Sequence, residues 1–100
     1  MEQLNKNAIG AQVRRIRTLA GISQQQLSVL CLRKGYEISR STLAKIEAGI
    51  RAVSDVELFA LAKGLDIKLE DLFPAGFEKA LKANKISPYR IRRKGGDNAA

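Results

Sequence analysis

Two runs, Ile22-Ser-Gln-Gln-Gln-Leu27 and Ile38-Ser-Arg-Ser-Thr-Leu-Ala-Lys-Ile-Glu-Ala-Gly49, decide the reading of this 100-residue chain. Each has a serine as its second residue, Ser23 and Ser39, followed by a segment with helical apolar spacing, so residues 22–49 predict two short helices joined by a turn. In the second run Leu43 and Ile46 fall on one side of the helix. At about 100° per residue, Arg40, Ser41, Ala44, Lys45 and Ala48 fall on the other. A small helix that is apolar on one face and polar and basic on the opposite one is suited to lie in a nucleic-acid groove.

Moving toward the N-terminus, Ile9, Val13, Ile16 and Ala20 recur at helical spacing and predict helix 1 from about Lys6 to Ala20, stopped by Gly21. Arg14, Arg15 and Arg17 lie largely off that stripe. Helix 2 opens on Ser23, with Gln26 completing a Ser-x-x-Gln capping box, buries Leu27, Leu30 and Cys31, and stops at Gly35. Toward the C-terminus, Ser54 and Glu57 repeat the capping logic for helix 4. Its Val56, Leu58, Phe59, Leu61 and Ala62 predict the central core element, and Gly64 its stop. A fifth, short helix spans Leu69 to Phe73 before Pro74. Lys68 is a poor cap for it, because an ammonium group cannot accept the free N–H bonds at a helix start.

Residues 75–100 change character. Phe77, Ala80 and Leu81 predict one or two amphipathic turns up to about Lys85, and Pro88 blocks continuation. The segment from Tyr89 to Gly96 is basic and reads either as a solvated tail or as a phosphate-binding arm. The chain thus divides into a helical domain at 1–74 and a short amphipathic and basic segment at 75–100.

Charge supports the groove reading. The formal net charge is +8, with nine Lys/Arg against three acids in residues 1–53, two against five in 54–73, and seven against two in 74–100. Positive surface is therefore expected at the paired helices and at the tail, where a polyanion would be met. Aromatic residues are 5% of the chain, which implies an aliphatic core. The single cysteine, Cys31, excludes an internal disulfide and lies among Leu27, Leu30 and Leu32, as a small core residue does. With no histidine and no second thiol, neither a metal site nor a cofactor is expected, and no catalytic constellation is visible. Residues 1–7 are polar, without the pattern of a secretion signal, and no apolar run is long enough to span a membrane. The expected location is cytoplasmic.

Gly21-Ile-Ser-Gln-Gln-Gln-Leu27, Ser39 to Gly49, and Leu58-Phe-Ala-Leu-Ala-Lys-Gly-Leu-Asp-Ile67 together resemble the phage-repressor/Cro (Xre-type) helix-turn-helix family over roughly residues 6–74. The resemblance implies an all-α, five-helix, lambda-repressor-like domain from a bacterium or phage that binds double-stranded operator DNA as a homodimer. Helix 3 would lie in the major groove. The interval between Leu27 and Ile38 is longer than the family pattern, and Leu32-Arg-Lys-Gly-Tyr-Glu37 contains the extra residues. Either helix 2 is lengthened or the turn carries a loop.

By the same resemblance Arg40, Ser41, Ala44 and Lys45 read bases. Arginine and lysine reach guanine O6 and N7, serine is permissive, and alanine allows close approach. Gln24 matches a phosphate contact at the start of helix 2, where backbone N–H groups also favour an anion. Arg51, Arg14 and Arg33 are further backbone candidates. Arg17 and Glu47 match a structural pair that fixes helix 3. The function implied is sequence-specific transcriptional regulation, in the first instance repression. The alternative is an antitoxin or adaptor on the same fold, with residues 75–94 (Phe77, Leu81, Ile86 and Tyr89 as anchors) contacting a partner protein.

Overall fold

The computed structural model describes residues 6–83, and the expectations for Lys85, Ile86, Tyr89 and the basic tail lie outside them. The regular structure of the described residues is all helical, without a strand: α1 Gly10–Leu19, α2 Gln24–Arg33, α3 Arg40–Ala48, α4 Asp55–Leu65, a 3-10 turn at Leu69–Leu72, and α5 Phe77–Lys82.

Three of these starts follow from serine. Ser23 and Ser54 each close a full capping box, with Gln26 and Glu57 as the returning side chains. Ser39 accepts the Thr42 N–H at 3.1 Å at the start of α3. In each case a side-chain oxygen satisfies an N–H that has no partner within the helix.

Helix 1 departs from expectation. It starts at Gly10 rather than Lys6, with Ile9 in the cap position and no cap bond from a side chain there. Asn7 Oδ1 accepts the N–H groups of Gly10 (2.8 Å) and Ile9 (3.3 Å). The start of α1 also sits hard against the end of α3, where a Cβ on Gly10 would collide with the Ile46 carbonyl oxygen. Ala20, expected on the apolar stripe, is exposed.

The stop of α4 is likewise corrected. Gly64 lies inside the helix and is buried; a Cβ there would stand 2.5 Å from Cys31 Sγ. Glycine at 64 is thus a packing requirement that lets α4 approach α2, and the two helices form the main contact of the fold. The chain turns instead at Asp66, in the left-handed region at φ 58°, which aspartate tolerates better than most residues. The predicted fifth helix is the 3-10 turn, started by Lys68 with no side-chain cap.

The core comprises Ile9, Val13, Leu27, Cys31, Ile38, Leu43, Ile46, Ala60, Leu61, Ala62 and Leu72. Helix α4 is central to it, packing on α2, α1 and the 3-10 turn. It does so through Ala60, Leu61 and Gly64, while Val56 (65% exposed) and Phe59 (45%), predicted as core, face outward. Phe59 is flanked by Tyr36, edge-on at 5.7 Å, and by Lys63, whose ammonium lies 5.2 Å from the ring centre.

The surplus residues between α2 and α3 are divided between helix and connection. Helix α2 runs on to Arg33, and residues 34–39 form the link, with Gly35 at φ 96°. Tyr36 N–H donates to the Cys31 carbonyl (3.0 Å), and Ser28 Oγ donates to the Ile38 carbonyl (2.6 Å). These bonds tie the longer link back onto α2.

Candidate nucleic-acid interface

Helix α3 presents the candidate surface. Leu43 and Ile46 are fully buried against α1 and α2, which fixes the rotation of the helix about its axis. The opposite side carries Arg40, Ser41 and Lys45, all exposed, with Ala44 half-buried between them. Gly49, at φ 75°, terminates α3 in the left-handed conformation that glycine adopts without steric cost.

A part-buried ionic cluster around the buried Glu47 sets the position of this helix. Arg17 Nε donates to Glu47 Oε2 at 2.7 Å and Arg17 Nη2 to Glu47 Oε1 at 2.9 Å, a two-pronged pair between α1 and α3. The guanidinium also donates through Nη1 to the Ile22 carbonyl (2.8 Å), and Gln24 Nε2 donates to Glu47 Oε1 (3.0 Å). The carboxylate thereby connects α1, α2 and α3 at one point. Its hydrogen bonds raise the Arg17 pKa above the ordinary arginine value, with burial opposing. Gln24 thus has one amide N–H committed to Glu47, leaving its second N–H and its carbonyl for another partner.

Arg51 lies just beyond Gly49 and is also engaged. Its Nη1 and Nη2 donate to the two oxygens of Glu57, both at 2.8 Å, and Nη1 donates again to the Ala52 carbonyl at 2.8 Å. Glu57 is therefore more than the cap of α4, since it also holds the guanidinium of Arg51. The hydrogen bonds from Arg51 push its carboxyl below the ordinary range; burial opposes them and the Ser54 N–H adds to them. Arg14 and Arg33 are exposed and form no ion pair with a described residue.

Sequence reasoning passed over Asn7, which is 5% exposed. Besides accepting the Ile9 and Gly10 N–H groups through Oδ1, it donates through Nδ2 to the carbonyls of Ile46 (2.8 Å) and Arg51 (3.0 Å), pinning the end of α3 and the chain that follows it. Asparagine is a strong helix-starting residue, and its place just ahead of the apolar stripe was the available signal. Glu57 was recognised as a cap, but its pairing with Arg51 was not.

Among the described residues no cluster of three or more His, Cys, Asp or Glu gathers as a metal site, and no helix is long and apolar enough to cross a membrane. Comparison with curated proteins gives no match. Among solved structures the chain is similar to the restriction-modification controller protein C.AhdI from Aeromonas hydrophila. The two share 34% identity at a TM-score of 0.61, over 71% of this chain and 96% of that one. A helix-turn-helix family model matches residues 13–72, from the first turns of α1 to the end of the 3-10 turn. With the family model over more than half its length and the likeness to the controller protein, the chain belongs to the Xre-type helix-turn-helix family.

Proposed function

We propose that the chain regulates transcription by binding a specific DNA sequence as a dimer, with α3 of each copy in the major groove. The observation that carries this reading is the exposed face of Arg40, Ser41 and Lys45 on a helix whose orientation is fixed by Arg17, Glu47 and Asn7. Arg40 and Lys45 supply the donors that guanine accepts, and half-buried Ala44 lets the helix approach the base edges closely. Gln24 and Arg51 would grip phosphates on either side, with Arg14 and Arg33 as outlying cations. Membership of the helix-turn-helix family and the likeness to a controller protein support the regulatory role.

Two copies related by a two-fold axis would reach half-sites about one turn, ~34 Å, apart. Selection of bound duplexes from a random DNA pool at near-physiological salt tests the proposal. It predicts enrichment of an inverted repeat. Retention of DNA without any enriched sequence would leave electrostatic binding alone and defeat it.

A further inference from the structure

We infer that Glu57 is a positioning residue for DNA-backbone recognition, holding Arg51 so that one edge of its guanidinium is kept for a phosphate; the inference rests on the DNA-binding reading above. The hydrogen bonds of Arg51 carry the argument. A guanidinium has five N–H donors in a rigid plane. Two of them, on Nη1 and Nη2, meet the carboxylate of Glu57 end-on, and the second N–H of Nη1 meets the Ala52 carbonyl. The donors that remain are Nε–H and the second N–H of Nη2, neither of which is bonded to a described residue. In a planar guanidinium these two point the same way along one side. Such a fork matches two oxygens of a single phosphate.

The residue is fixed from both ends. Its carbonyl accepts from Asn7 and its guanidinium is clamped by Glu57, while its side chain stays 36% exposed. Glu57 in turn is anchored by the capping box at Ser54, being 3.0 Å from the Ser54 N–H through Oε1. The cap of α4 and the backbone grip next to α3 are thus one hydrogen-bonded unit. A long cation that would otherwise sample many rotamers is set in one orientation before DNA arrives, which lowers the ordering cost of binding.

A simple cap, a masking carboxylate and a positioning carboxylate predict different double-mutant cycles. The test titrates an inverted-repeat duplex from the selection with wild type, Glu57→Gln, Arg51→Ala and the double variant, across a salt series. Glutamine retains the capping-box acceptor, and melting temperatures report whether each variant is folded. Positioning predicts that Glu57→Gln weakens binding about fivefold on every sequence and flattens the salt slope, by analogy with loss of a charge-assisted bond. In the Arg51→Ala background the same change should have no such effect. Equal effects in both backgrounds would make Glu57 a cap only. Tighter binding with a steeper salt slope in the Arg51 background would mean that Glu57 masks the arginine. Either result overturns the inference. Arg51→Lys keeps the charge but not the fork and should bind weaker than wild type; unchanged binding would contradict the two-pronged contact. Wild-type binding and Lys45→Ala report on the DNA reading itself, so failure of that reading is distinguishable from failure of the Glu57 role.

Discussion

Arg17 on α1 and Glu47 on α3 meet in a bidentate ion pair at 2.7 and 2.9 Å, with side chains only 14% and 2% exposed. The pair sits where the helix that faces outward is held by the helix behind it. Truncating one partner of such a pair strands the other charge in the interior. Glu47→Ala is therefore expected to destabilise the fold by about 3–5 kcal/mol, because Arg17 would be left uncompensated. Ser41→Ala, on the exposed face, should stay within about 0.5 kcal/mol. Urea denaturation of the two variants checks this, and equal midpoints would contradict it.

Asn7 connects the start of α1 to the end of α3, accepting from Gly10 and donating to Ile46 and Arg51. Aspartate caps a helix as well as asparagine does but cannot donate to a carbonyl. Asn7→Asp should therefore destabilise about as much as Asn7→Ala, on the order of 2–4 kcal/mol from several unpaired buried groups. A thermal melt in which the Asp variant matches wild type would leave only the Oδ1 contacts of Asn7 as stabilising.

Gly64 and Cys31 touch where α4 crosses α2, with no room for a Cβ between them. Gly64→Ala is expected to cost about 1–3 kcal/mol through overpacking. Cys31→Ala removes the atom that it strikes, so the double variant should be more stable than the sum of the single changes implies. Additive losses in chemical denaturation would show that the clash is relieved elsewhere.

The carboxyl of Glu57 is held low by Arg51, which gives the protein an acid-side dependence of defined sign. Its folded pKa lies below the unfolded value, about 4.3. The stabilisation is complete above that value and is lost as pH falls through the folded one. Between about pH 5 and pH 3 the melting temperature of wild type should fall further than that of Glu57→Gln, whose side chain does not titrate. Parallel curves by circular dichroism would rule out a contribution from the pair.

The parts of this fold that depend on neighbours in sequence were readable without a structure. Ser23 with Gln26 and Ser54 with Glu57 are complete signals three residues apart, and both close as capping boxes. Gly49 stops α3, and Leu43 and Ile46 set which side of α3 faces out. Gly64 misled because a glycine near a helix end looks the same whether it stops the helix or admits a neighbour. Only the thiol of Cys31, brought in from α2, distinguishes the two. Val56 and Phe59 misled because apolar density does not say which side of a helix finds a partner. The polar contacts of Asn7 with Ile46 and Arg51 link positions some forty residues apart, so no local pattern announces them. Arg51 was legible as a cation, but its acid already had a sufficient explanation as a cap.

The most direct test of the account is the affinity of wild type and Lys45→Ala for every single-base variant of the selected duplex. If the outward face of α3 reads bases, Lys45→Ala should lose about 1–3 kcal/mol of discrimination at one position in each half-site and keep its preferences elsewhere. An unchanged preference profile would mean that α3 does not face the base edges, and the placement of the whole interface would be wrong.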